Sequence, residues 1–274
     1  MQNSNSEILE DTLSKKDLHE LWVKTYYSGR NIKFYELAFE KIFQIIKVKK
    51  NSKFLDAGCG NGIHSIKLAE KSNNITSIDF SDEALKLARG KINEQNVSES
   101  ITLMKENMLS LSFNDSVYDS ILCWGVLMHI PDIEKALFEL SRVLKPNGYL
   151  VLSENNKTSI QTFFARAWKS RRSQEQIEIN STGICFWSET EAGKFLVRKT
   201  DINWLNKYLN SRGLKLVKRF PGQFTSLYTR VDNHLLKNII YLFNELWFRF
   251  IKISTLSEGN ILIFIKQKED IIEN

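Results

Sequence analysis

The stretch 54–62, Phe-Leu-Asp-Ala-Gly-Cys-Gly-Asn-Gly, constrains this chain more than any other. A short apolar run ends in Asp56, glycines follow at 58, 60 and 62, and Ile63, Ile66, Leu68 and Ala69 then take up helical spacing. That order predicts a strand, a tight turn and a helix. Alternate glycines permit backbone angles closed to other residues and let a ligand approach the bare main chain. The loop therefore reads as the seat of a small molecule. A nicotinamide dinucleotide fingerprint would place glycine at the sixth position from Gly58, where this chain has Ile63. A nicotinamide dehydrogenase is disfavoured.

A second acid sharpens the reading. Residues 74–79, Asn-Ile-Thr-Ser-Ile-Asp, form a short β-prone run, and its Asp79 lies 21 residues beyond Gly58. A carboxylate at that place can accept both hydroxyls of a ribose. Together the two features resemble the class I S-adenosylmethionine-dependent methyltransferases, in which Asp-x-Gly-x-Gly-x-Gly opens the donor site and an acid ends the second strand. Within them the chain is similar to the small-molecule, UbiE-like branch. The resemblance implies S-adenosyl-L-methionine as cofactor and a Rossmann-like α/β fold. Its seven-stranded, mostly parallel sheet has the order 3-2-1-4-5-7-6, strand seven antiparallel, helices on both faces and an inserted lid or substrate region.

The 274 residues suffice for one large α/β domain with embellishments. The net charge of +6 permits nucleic acid or an acidic surface as partner, but it is spread without a long basic block. The clusters 47–50 and 169–172 read as solvated faces. Cys59, Cys123 and Cys185 lie far apart with no CxxC pair, so neither a metal site nor a disulfide framework is expected, in keeping with a reducing cytoplasm. Residues 1–11 are polar and acidic, without the pattern of a secretion signal. No run approaches the ~20 apolar residues of a membrane span.

In chain order, residues 18–43 read as helical, with Leu18, Leu21 and Trp22 on one turn and a break at 26–30. Trp22, Tyr26 and Tyr27 either pack on the domain or, as the resemblance implies, form a lid over the cofactor. Ser81 is an expected N-cap for a helix running to about Asn93. Strand three is expected at 101–105, strand four at 118–124, a helix at 133–144, a turn at 145–148 and strand five at 149–153. Residues 158–168 look helical, and the irregular segment 157–200 is an insertion suited to an acceptor pocket. A helix at 201–212, with Ile202, Leu205, Tyr208 and Leu209 inward, strand six at 214–220 and strand seven at 260–266 complete the sheet. Four regions follow: an amino-terminal lid segment (1–48), a donor-binding core (49–156), the insertion (157–200) and the completion of the sheet (201–274). Between the last strands, residues 232–252 make a helix whose apolar face exceeds the ~100° that packing on one surface requires. A dimer partner, the acceptor-domain core, an apolar substrate or a membrane interface could cover it.

The resemblance carries roles to particular residues. Tyr26, Asp56, Gly58, Cys59, Gly60, Asp79 and Phe80 belong to the cofactor side. Asn107 stands where the family usually has an acid for the adenine amino group, with Met108 against the ring. Cys123 and Trp124, at the end of strand four, should face the same crevice. The apolar-His-apolar-Pro-Asp element at 128–132 and the 142–148 turn recur in small-molecule methyltransferases. In sugar-directed members such a His, with an acid after strand five, is base and partner; these roles fall on His129 and Glu154. His64 reads as a packing or surface residue, and His19 and His234 show no reason for a role. The expected reaction is methyl transfer to a small molecule, most simply to a hydroxyl of a secondary metabolite or sugar-like compound. Amine, carbon, peptide or carrier-linked acceptors are alternatives, as is a non-catalytic fold acting in a complex through 232–252. The prolines, 131, 146 and 221, stand in neither the DNA amino-methyltransferase nor the cytosine-methyltransferase motif. DNA is thereby excluded, and the absence of a basic block disfavours RNA.

Overall fold

A computed structural model describes residues 9, 11–26, 30–169, 176–190 and 193–268. The start of the polar 1–11 stretch, the break at 27–29 and most of the basic cluster 169–172 lie outside the described residues. Two helices, α1 (Lys16–Tyr26) and α2 (Arg30–Ile45), precede β1 (Phe54–Ala57), α3 (Ile63–Ala69), β2 (Ile75–Asp79), α4 (Asp82–Glu94) and β3 (Ile101–Lys105). There follow β4 (Tyr118–Trp124), α5 (Ile133–Val143), β5 (Leu144–Asn155), α6 (Ile160–Lys169), β6 (Gln176–Asn180), β7 (Gly183–Thr190) and β8 (Gly193–Thr200). The chain continues through α7 (Ile202–Ser211), β9 (Leu214–Pro221), α8 (His234–Phe250) and β10 (Gly259–Lys266).

The main sheet has the order β3-β2-β1-β4-β5-β10-β9, with β10 antiparallel to both neighbours. This is the expected 3-2-1-4-5-7-6 sheet. Strand alternation divides its side chains between two cores. Leu55, Ile121, Cys123, Leu150 and Leu152 point to one face, against Leu137 and Leu140 of α5 and Leu205 and Leu209 of α7. Phe54, Leu122, Val151 and Ile263 point to the other, against Phe39 and Ile42 of α2, Leu68 of α3 and Phe248 of α8.

Local chemistry ends the elements where the sequence marks them. Ser81 caps α4 by accepting the Ala84 N–H, and Asp201 caps α7 by accepting those of Asn203 and Trp204. Residues 145–148, expected as a turn before strand five, fall inside β5. Leu144 already pairs with Tyr118, the ladder then shifts register, and Asn147 takes a positive φ of 61° to let the extra residues bulge. At its other end β5 runs on to Asn155 because β10 pairs with it that far.

The segment expected to be irregular carries regular structure where described: α6 covers the helix expected at 158–168, and β6, β7 and β8 form an antiparallel sheet whose Cys185, Trp187 and Leu196 pack on Leu9, Leu13 and Leu18 of the amino-terminal segment. Leu21, on the same turn as Leu18, is exposed. On α8 only Asn244, Trp247 and Phe248 are buried, so most of its apolar residues face outward. Among the described residues no helix is long and apolar enough to cross a membrane.

Candidate functional site

The carboxyl ends of β1, β2, β4 and β5 open on one cavity of about 590 Å³, a size suited to a cofactor and a small partner. Its floor is the glycine loop. Gly58, at φ 79°, lies so close to the Val126 side chain that a Cβ would stand 2.5 Å from Cγ2. A Cβ on Gly60, at φ 52°, would meet nothing within 4 Å, so here the main chain is open to a ligand. Beside the loop, Asp79 binds the loop and the next helix at once: Oδ2 accepts the Gly60 N–H (2.9 Å) and Oδ1 that of Ser81 (3.0 Å). The Phe80 N–H also reaches the carboxylate, whose two oxygens together still have room for a further donor. Burial holds the Asp79 carboxyl above its ordinary proton affinity, while the hydrogen bonds from Ser81 and Gly60 work the other way. Asn61, also in the wall, has a buried amide nitrogen with no partner.

The amino-terminal segment roofs this half. Leu13, His19, Trp22 and Tyr26 line the cavity. His19 Nε2 lies within hydrogen-bond distance of Ser81 Oγ (3.1 Å), which also stands 3.4 Å from Ser14 O. Burial lowers the proton affinity of His19 although Asp79 is near.

The other half is walled by the insertion and the last strands. His129 follows β4 on a 3-10 turn, Leu127–His129. Its Nδ1 lies 2.7 Å from Leu196 O, which can only accept, so Nδ1 carries the proton and Nε2 the lone pair. The ring stacks on Trp22 at 5.5 Å between centroids and leans on Phe195 at 4.7 Å. Burial lowers its pKa to about 4, against the hydrogen bond to Leu196. Buried Arg198 fastens the same turn, donating to Leu127 O (2.9 Å), Ile130 O (2.7 Å) and Pro131 O (2.8 Å). Glu154, 1% exposed, accepts the Thr200 hydroxyl on Oε2 (2.9 Å), and its Oε1 has no partner. Burial raises its pKa to about 7. Lys199 and Glu258 form a buried ion pair at 2.6 Å, and Glu258 also accepts the Ser226 N–H (2.7 Å).

Gly58, Cys59, Gly60, Asp79, Phe80, Asn107, Met108, Trp124 and Tyr26 thus line one cavity with His129 and Glu154. Asn107 is partly committed, its Oδ1 accepting the Leu109 N–H (2.9 Å). His129 and Glu154 share the wall, but their resolved hydrogen bonds go to Leu196 and Thr200 rather than to each other. Two expected residues stand off the wall. Cys123 points into the α5 side of the core because it alternates with Trp124 along β4. Asp56 lies under the loop, where Ser65 Oγ donates to it (2.6 Å) and burial raises its pKa to about 7. Glu154 sits within β5, paired with Asn260 of β10, not beyond the strand. His64 packs among Tyr35, Phe39 and Trp124. Sequence reasoning missed His19, Arg198, Thr200 and the Lys199–Glu258 pair. A cap at Ser81 was legible, but nothing local announces a histidine bonded to it from 62 residues away.

A doubly wound sheet of this order with a glycine-loop cavity at its switch point has the architecture of a class I methyltransferase. A family model described as a methyltransferase domain matches residues 48–207, more than half of the chain. The chain belongs to the class I S-adenosylmethionine-dependent methyltransferases. It is 31% identical over 159 residues to a demethylmenaquinone methyltransferase of Lactobacillus johnsonii, covering 54% of this chain and 65% of that protein. It spans about half to two thirds of the length of the curated relatives it matches. An S-adenosylmethionine-dependent methyltransferase structure from Clostridium acetobutylicum superposes with a TM-score of 0.60 at 14% identity, covering 92% of this chain and 98% of that one. The cyclase SpnF gives 0.56 at 17%, covering 84% and 80%. At such identities the likeness shows the fold alone.

Proposed function

We propose that this chain transfers a methyl group to a hydroxyl of a small molecule, with Glu154 taking the hydroxyl proton and His129 orienting the acceptor. S-adenosyl-L-methionine, the donor that family membership implies, supplies an electrophilic methyl on a sulfonium. The donor half of the cavity fits it: spare acceptor capacity on Asp79 for a ribose diol, the unpartnered Asn61 amide, and open main chain at Gly60. Phe80 and Met108 would flank the adenine. Because displacement at a sulfonium is in-line, the protein's work is to hold both partners at attack distance and keep water out. The roof of α1 and the wall of β7 and β8 serve that end.

The two acid–base roles exchange relative to the family pattern. A general base works best with a pKa near the operating pH. Glu154, at about 7, meets that condition, whereas His129, at about 4, is a neutral, weak base. Its Nε2 lone pair can still accept a hydrogen bond from the acceptor hydroxyl. The observation that carries this reading is the orphaned Oε1 of Glu154, buried in the cavity wall. The test is Glu154→Gln: donor affinity by calorimetry should stay within about threefold, while kcat falls by about 10²–10⁴. Equal loss in His129→Ala with an active Glu154→Gln would return the base to His129.

A second reading places the methyl on carbon of a hydroxylated ring. The curated relatives are named for demethylmenaquinone, and Trp22, Phe186 and Phe195 give the cavity flat apolar walls. Glu154 would then deprotonate the ring hydroxyl. Product NMR separates an O-methyl from a C-methyl group.

A further inference from the structure

The largest feature outside the cavity is the outward face of α8. At 100° per residue, Leu235, Leu236, Ile239, Leu242, Phe243, Leu246 and Phe250 fall in one stripe about 120° wide. All seven are exposed, Leu235 at 71% and Phe250 at 74%. The stripe is held rigidly from behind. Trp247 Nε1 donates to Ser257 Oγ (2.6 Å), Lys41 Nζ to Phe248 O (2.9 Å), and the Asn244 amide is bonded both ways to the backbone of Thr225.

Further apolar side chains are exposed on elements tied to the helix. Leu227 is exposed on the turn that Asn244 fixes, and Phe163 (70%) and Phe164 on α6. Ser226 N donates to Gln161 Oε1 of α6 (3.0 Å), and Ile160 N to Leu256 O (3.3 Å), so turn, α6 and α8 form one platform. Platform and cavity mouth share elements, because Ala165, Thr229 and Arg230 line the cavity.

We propose that this platform docks the protein on an anionic lipid bilayer, with α8 lying in the interface plane. Its 17 residues span about 25 Å, too short and too amphipathic to cross the ~30 Å hydrocarbon core, and suited to lying at the headgroup boundary. Charge selects the occupant. Arg166 on α6, Arg230 on the turn, Arg249 on α8 and Lys252 just beyond it all have exposed side chains. Of the acids there, Asp232 is exposed, while Glu245 is engaged by Arg249 (3.0 Å) and Lys33 (3.5 Å). A second copy meeting this face would bring cation against cation on chains of net charge +6; an anionic lipid surface neutralises them.

The experiment is flotation of the full chain, without cofactor, with vesicles of phosphatidylcholine and phosphatidylglycerol. Its readout is therefore independent of the methyltransferase reading. Binding is expected to drop at least about tenfold in Leu235→Ser/Ile239→Ser/Phe250→Ser, and to weaken on phosphatidylcholine alone and in high salt. The substituted side chains are exposed, so the thermal midpoint should hold. Absence of flotation, equal flotation of the variant, or a wild-type dimer in sedimentation that the variant dissolves would each overturn the proposal.

Discussion

Burial sets the proton affinity of Glu154, and two consequences follow at the scale of the residue. The folded chain favours the protonated acid, since its pKa of about 7 lies above the ordinary 4.5. Stability from this group is fully present below the unfolded value and is lost as pH rises through about 7. The loss amounts to roughly 3 kcal/mol at most. Glu154→Gln, an uncharged isostere, should therefore show a flatter decline of unfolding free energy between pH 5 and 8 than the wild type, measured by urea titration. Asp56, shifted the same way, leaves a residual slope in both. With Glu154 as the proposed base, the same titration should appear in catalysis, with kcat rising through about pH 7 as Glu154 loses its proton. Asp79 is proposed to hold the donor ribose. Asp79→Ala should weaken S-adenosylmethionine binding about a hundredfold, because hydrogen bonds to a charged carboxylate are worth roughly 1.5–3 kcal/mol each; an unchanged calorimetric Kd would remove it from the ribose site. Asp56, Cys59 and Asp79 were all legible as neighbours of the glycine loop. That Asp56 points beneath the loop while Asp79 faces the cavity depends on side-chain direction, which the motif does not encode.

Among the elements, β8 was invisible in the sequence yet joins the insertion to the site. Strands are recognised by alternation of apolar and polar residues, and Arg198 and Lys199 break it, although both are buried. Each charge is neutralised or bonded by distant groups: Arg198 by the carbonyls of the His129 turn, Lys199 by Glu258. Arg198→Met should lower stability by about 2–4 kcal/mol, since one buried and two part-buried carbonyls lose their donor. It should also move the acidic limb of the pH–rate profile upward, because the guanidinium lowers the proton affinity of Glu154. A stability loss with an unmoved profile would leave Arg198 a clamp only. By contrast β1, β2, β4 and α7 fell where apolar spacing and caps put them. Their signals, a buried run and a flanking Ser, Asp or Gly, are local.

For the whole molecule, three segments far apart in sequence line one space: α1 beside the glycine-loop half, β7 and β8 along the half around His129, and the turn after β9. The stacking of Trp22 on His129 ties the first of these to the second. Donor binding should thus order α1 and slow proteolysis within 16–26. Trp22→Ala should lose that protection and bind the donor more weakly; cleavage that ignores the donor in wild-type protein would show that α1 does not respond to it.

The sequence by itself marked the strands of the sheet and the residues around the glycine loop, and the family resemblance supplied the strand order. Glycines, strand-end acids and alternating apolar runs act over a few residues, and the nucleotide-binding unit is built from consecutive elements. Only the tertiary structure decided the half of the cavity around His129 and Glu154. There Glu154 meets Thr200, His129 meets Leu196 and Trp22, and Lys199 meets Glu258, all across tens of residues. It likewise decided that the apolar helix turns its stripe to solvent. Hydrophobic periodicity reports that a face wants covering, but the packing of Trp247 and Phe248 on the opposite side chooses which face the chain itself covers.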